Sequence, residues 1–216
     1  GKNMIGAFHQ PKAVYIDTNT LSSLPARELS AGLAEVIKHG LLADYQYFES
    51  IESNIEALLK LDREPLIDAI RGSCLIKTAV VAEDEKESGA RALLNFGHTF
   101  GHAIETAMGY GQWLHGEAVG AGLVMATDLS LRLGRCSRED ALRVKALVAA
   151  AGLPVEPPST ISEVQFLELM SKDKKVSEDG LRLVLFRHGI GTAELVTGVP
   201  TEKIKETLHA GAGLCQ

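Results

Sequence analysis

Residues 95–122, NFGHTFGHAIETAMGYGQWLHGEAVGAG, constrain the chain more than any other stretch. They hold three of its seven histidines, His98, His102 and His115, and more Gly and Ala than a solvent-facing helix needs. His98 and His102 stand four apart, so a helix over 98–108 projects both rings from one face, about one turn apart. His115 opens a second run, nearly all apolar and small, whose length and patterning predict a buried helix over 115–134. Gly116, Ala118, Gly120, Ala121 and Gly122 leave room for another backbone, at a propensity cost of about 1 kcal/mol per Gly that packing must offset. Close packing of that kind can carry the third imidazole to the first two. Three imidazoles, or two with a carboxylate from elsewhere, make an open zinc site. Spacing alone leaves the alternative standing, because His-x-x-x-His without an internal Glu also describes histidines satisfied by backbone or water.

A carboxylate is available upstream. Ser30 can cap a helix ending near Gly40, and on it Glu35, Lys38 and His39 lie at i, i+3 and i+4, on one face. Gly32, Leu33, Ala34, Val36, Ile37 and Leu41 surround them and leave little polar surface. A buried Glu needs a partner, which Lys38 or a metal ion supplies.

The rest of the chain reads mainly as helical scaffold. Ala13 to Asp17 has the β-branched content of a short strand, and a polar turn runs on to Ser23. Apolar spacing predicts helices over 44–61, with a stripe of Phe48, Ile51, Ile55, Leu58 and Leu59, and over about 65–83 with Pro65 in the first turn. Cys74 on the second of these is expected in the core. The acidic run 83–87 reads as a solvated loop. Ser137 and Ser162 open two further helices as capping residues, and Leu181 to Phe186 with Ala193 to Val196 forms a hairpin around Gly189 and Gly191. Thr201 to Ala210 closes the chain as a short helix. The total is about eight helices, one early strand and one late hairpin: a mainly α fold.

Composition narrows the function. Of 216 residues, 45% are hydrophobic and 23% charged, with a net charge of -6, which suits a globular chain and argues against a nucleic-acid surface. No apolar run is long enough for a bilayer span, and the opening residues do not form a signal peptide. Cys74, Cys136 and Cys215 are odd in number and widely separated, as befits reduced thiols in a cytoplasm. Gly189 and Gly191 lie between strands, so they are not a dinucleotide-binding fingerprint.

Five separated blocks, GKNMIGAFHQP at 1–11, AEVIKHG at 34–40, DEKESGARALLNFGHTFGHAIE at 84–105 with Lys77 before it, WLHGEAVGAG at 113–122 and DKKV at 173–176, resemble the 3-dehydroquinate synthase family of sugar phosphate cyclases. The resemblance implies a helical metal- and substrate-binding domain over 25–216. Residues 1–24 would then be the tail of a nucleotide-binding α/β domain that is missing from this chain. It implies that Glu35, His98 and His115 hold Zn, with Co possible, and that His102 stays off the metal. His102, Asn3, Asn95 and Lys174 or Lys175 would surround a phosphorylated keto acid; Lys77 and Arg91 would grip its anionic groups and Lys38 would lie near its hydroxyls. Lys2, Thr20, Leu21, Ser22 and Ser23 match positions contacting NAD. The resemblance further implies that the leaving phosphate acts as its own base, and that the protein is a cytoplasmic homodimer whose C-terminal part alone is inactive. Relatives such as 2-deoxy-scyllo-inosose synthase cyclise other sugar phosphates, and a non-catalytic metal-binding fragment is a further alternative. A two-metal phosphohydrolase needs adjacent His and Asp, a pair absent from this sequence.

Overall fold

Small residues decide where the centre of the molecule lies. In the computed structural model, which describes residues 5–7, 9, 11–84, 89–109, 111–172 and 181–216, helix α5 (His115–Arg132) is buried without interruption from Ala118 to Ser130. Helix α4 (His98–Met108) packs on it more extensively than any other element does. Gly122 permits this: a Cβ there would lie 2.2 Å from the Gly97 carbonyl oxygen, so a side chain would force the two helices apart.

Around this pair the described residues form α1 (Ala26–Ala43), α2 (Tyr45–Leu59), α3 (Arg63–Glu83), α6 (Arg138–Ala150), α7 (Glu163–Lys172) and α8 (Thr201–Ala210). Strands β1 (Leu183–Phe186) and β2 (Ala193–Val196) pair antiparallel, Leu183 opposite Val196, and β1 rests on α5. Side-chain caps fix several starts. Asp44 accepts from Tyr47 N–H at α2, Ser137 from Asp140 N–H at α6, and Ser162 from Gln165 N–H before α7. α1 starts five residues earlier than the Ser30 reading predicts: Pro25, with φ of -57°, stands at the N-cap and Glu28 lies in the first turn, where acid complements the helix dipole. Buried Asp128 on α5 accepts from Arg132, Thr207 Oγ1 and Cys215 N–H, tying α8 and the end of the chain to the central helix.

Three sequence expectations are corrected. Residues 13–17 form no strand, since among the described residues no strand lies beside them and β-propensity without a ladder partner fixes nothing. Cys74 is exposed, because α3 turns Leu66 and Ala69 inward and Ile67, Cys74 and Leu75 outward. Asp84, placed in a solvated acidic run, is buried. No helix among the described residues is long and apolar enough to cross a membrane.

Candidate metal centre

α4 starts at Gly97, whose φ of 77° is left-handed backbone that favours glycine. The turn aims the first residue, His98, inward, and its Nδ1 lies 3.2 Å from the Phe96 carbonyl oxygen. An oxygen acceptor there fixes Nδ1 as the protonated nitrogen and leaves a lone pair on Nε2. His98 Nε2 lies 3.4 Å from Glu35 Oε1, so a lone pair faces a carboxylate oxygen. Oε1 is buried and makes no hydrogen bond, while Oε2 accepts from Lys38 Nζ at 2.5 Å. An acceptor facing an acceptor in a buried site calls for a cation between them.

His115 completes the arrangement from the first turn of α5. One ligand atom each of Glu35, His98 and His115 lies within 4.8 Å of the others, the group of three or more acidic, His or Cys residues that converges in this way among the described residues. His115 Nδ1 lies 3.0 Å from Glu105 Oε2, which orients the ring and leaves Nε2 for the shared point. A carboxylate behind a histidine is the usual support of a ligating imidazole. Two imidazoles and one carboxylate fit a zinc-type ion with open positions.

Burial pushes the Glu35 carboxyl up, but the approach of His98 and the charge of Lys38 outweigh it and hold the group well below the ordinary carboxylate range. Glu35 is therefore an ionised ligand. Burial lowers the Lys38 ammonium, offset in part by Glu35 and reinforced by the charge of Lys77. His39, predicted on the same face, turns instead to Ser73 Oγ at 2.5 Å; burial and the Lys38 charge lower it to about 4, so it is neutral.

The other sequence-derived residues spread outward from the triad. His102 stands edge-on to His98, with ring centroids 5.4 Å apart, and 5.9 Å from His115, outside the converging group. Arg91 and Asn95 lie on the 3-10 turn Ala90–Asn95, whose entry is fixed by buried Asp84 accepting from Gly89 and Arg91 N–H. Lys77 is exposed on α3, at an open apolar cleft of about 680 Å³ that Val14, Ile16, Cys74 and Leu75 also line. This cleft does not include the triad. Thr20, Leu21, Ser22 and Ser23 belong to the 3-10 turn Thr18–Ser23, and the three hydroxyls donate to backbone carbonyls of that same turn or its cap. Lys2, Asn3, Lys174 and Lys175 lie outside the described residues. Sequence reasoning missed Glu105, although its place three residues after His102 puts it on the histidine face. It also missed Asp84.

Solved structures resemble the fold over nearly its whole length. 2-epi-5-epi-valiolone synthase from Streptomyces hygroscopicus subsp. jinggangensis, solved with NAD+ and Zn2+ bound, superposes with a TM-score of 0.86 at 27% identity, over 96% of this chain and 57% of that one. 2-deoxy-scyllo-inosose synthase, solved with carbaglucose-6-phosphate, NAD+ and Co2+, gives 0.83 at 27% identity over 98% and 60%. In class, this is the architecture of the sugar phosphate cyclases.

Sequence comparison is narrower. The profile of the 3-dehydroquinate synthase C-terminal region matches residues 32–176, and that of the N-terminal region matches residues 1–31. 3-dehydroquinate synthase from Teredinibacter turnerae is 62% identical over 198 residues, 92% of this chain and 54% of that protein. The chain belongs to the 3-dehydroquinate synthase family, and it spans about half the length of the curated relatives it matches.

Proposed function

We propose that this chain is the metal- and substrate-binding part of a 3-dehydroquinate synthase. The reaction converts 3-deoxy-D-arabino-heptulosonate 7-phosphate to 3-dehydroquinate and phosphate, a phosphate-eliminating cyclisation in the shikimate route to aromatic amino acids. The convergence of Glu35, His98 and His115 carries the reading, and the 62% identity to a 3-dehydroquinate synthase, against 27% to the other cyclases, favours it over an inosose-type activity. NAD+ and Zn2+, which the valiolone synthase structure holds, are the cofactors this reading requires. A nucleotide-binding domain ahead of the segment 1–24 supplies most of the NAD site, with Lys2 and the turn Thr20 to Ser23 on its near side. A cytoplasmic homodimer is part of the same reading.

Glu35 Oε1, His98 Nε2 and His115 would hold the ion, which supplies Lewis acidity toward a substrate hydroxyl. NAD would supply a reversible hydride acceptor beside it. The chain's own residues then bind and orient. Lys38, kept on Glu35 Oε2, stays beside the ligand set and donates to the hydroxyls. Lys77, Arg91 and Lys174 or Lys175 gather cationic charge around a substrate with two anionic ends in a chain of net charge -6. Asn95 and Asn3 orient the substrate by hydrogen bonds. His102, beside the triad but outside it, relays a proton to the departing phosphate, so positioning rather than a dedicated strong base carries the rate.

The protein extended by its nucleotide-binding half is expected to release phosphate from the seven-carbon acid phosphate and not from glucose 6-phosphate, and the 216-residue chain alone to release none. The opposite preference favours an inosose-type cyclase, and turnover by the isolated chain overturns the division of labour.

A further inference from the structure

We propose that Arg27 and Glu117 form a strap that sets the reach of His115 toward Glu35 and His98, which makes the pair positioning residues for the metal. The inference rests on the metal reading above and concerns side chains outside the ligand set.

Two features lock the N-terminal turn of α5 against α1. One is backbone contact: a Cβ added to Gly116 would lie 2.0 Å from the Ala31 carbonyl oxygen, so the two helices touch without side chains between them. Ala31 precedes Glu35 by one turn and Gly116 follows His115 directly, so this contact sets the distance between two ligand-bearing segments.

The other is the strap. Glu117 accepts Leu114 N–H at 2.8 Å through Oε2, closing the start of α5. Leu114 has no side-chain acceptor to return the cap, so Glu117 supplies the side-chain part of it and the Leu114 carbonyl, accepting from Glu117 and Ala118 N–H, the rest. Both Glu117 oxygens also accept from Arg27, Nε at 2.5 Å and Nη2 at 2.7 Å. Arg27 Nη2 donates in addition to the Gln112 carbonyl at 2.8 Å, so one guanidinium grips both the helix and the loop that delivers His115. Such planar two-point pairing fixes angle as well as distance. His115 is itself exposed and touches Glu105 on another helix, so its ring depends on the backbone beneath it. A rim ion pair of this kind contributes little to stability, which argues that its consequence is geometric.

The test is cobalt affinity of the purified chain, measured by competition with a chelator, together with the visible spectrum of bound Co2+ and the thermal midpoint. Glu117→Ala is expected to weaken Co2+ binding about tenfold to hundredfold and to alter the spectrum, as losses of supporting groups around metal ligands do. Arg27→Ala should lose less, Arg27→Lys should recover only part of that loss because it lacks the fork, and the double variant should lose no more than Glu117→Ala. Arg143, which pairs with Glu52 by a comparable two-point contact joining α2 and α6, neither of which carries a ligand, is the control: Arg143→Ala should leave Co2+ affinity unchanged. Affinities and spectra equal to the parent in both Arg27→Ala and Glu117→Ala, with only the thermal midpoint lowered, overturn the strap while leaving the triad intact. If the parent chain itself binds Co2+ no better than His98→Ala, the metal reading fails and the strap falls with it.

Discussion

The α4–α5 pair and the outer face of α3 are both rich in apolar or small residues, yet they end in opposite environments. Along α5 every residue from Ala118 to Ser130 is buried, and Gly122 lets the backbone of α4 approach so closely that no side chain fits between. Along α3, Ile67, Cys74 and Leu75 look outward over a cleft shared with Val14 and Ile16. Apolar character drives burial only where a partner surface exists. The central pair finds its partner within this chain and spends that rigidity on holding two histidines. The α3 face borders Lys77, one of the proposed substrate cations, and leaves an apolar surface uncovered within the described residues.

If the central pair is the functional half of this contrast, its ligands should be irreplaceable. Glu35→Ala, His98→Ala and His115→Ala are each expected to lower bound zinc to near zero by elemental analysis, whereas His102→Ala retains it. Retention of zinc by all four variants removes the metal argument and with it the contrast.

The next effect concerns packing. Gly122→Ala should cost about 3 kcal/mol in urea unfolding, because its Cβ would lie 2.2 Å from the Gly97 oxygen and backbone must shift. The same change at Gly32, where an added Cβ meets nothing within 4 Å, should be stabilising by about 0.5–1 kcal/mol. Equal effects at the two positions contradict the account of α5.

A smaller effect lies on α1, which packs against both α5 and α3, where His39 meets Ser73 of α3. Its folded pKa is lowered from 6.5 to about 4. The unfolded chain therefore binds a proton that the folded chain refuses, so this contribution is present above 6.5 and is lost as pH falls toward 4. The loss should be on the order of 2 kcal/mol and should shrink in His39→Asn, read as the pH dependence of the urea midpoint. The smallest effect belongs to the outer face. Cys74→Ser should change stability by no more than about 0.5 kcal/mol, since the thiol is exposed.

What could be read from the sequence follows from how far each interaction reaches along the chain. The bounds of α4, the buried character of α5 and the shared face of Glu35 and Lys38 are local consequences of helical spacing, and the structure reproduces them. Caps such as Asp44 and Ser137 are equally local. Ser30 misled because Pro25 and Glu28 had already opened the helix. Residues 13–17 and Cys74 misled because strand pairing and burial depend on surfaces that propensity does not see. Glu105 behind His115 and Arg27 on Glu117 are contacts across 10 and 90 residues, and they exist only once α4, α5 and α1 have packed. The resemblance brought Glu35, His98 and His115 together as a set before any geometry did; spacing had left the third ligand open.

Anomalous diffraction from crystals of the chain grown with cobalt or zinc locates the ion itself. One strong peak is expected within about 2.2 Å of a Glu35 oxygen and of one nitrogen each of His98 and His115. A metal-loaded crystal in which these three side chains share no peak contradicts the metal centre.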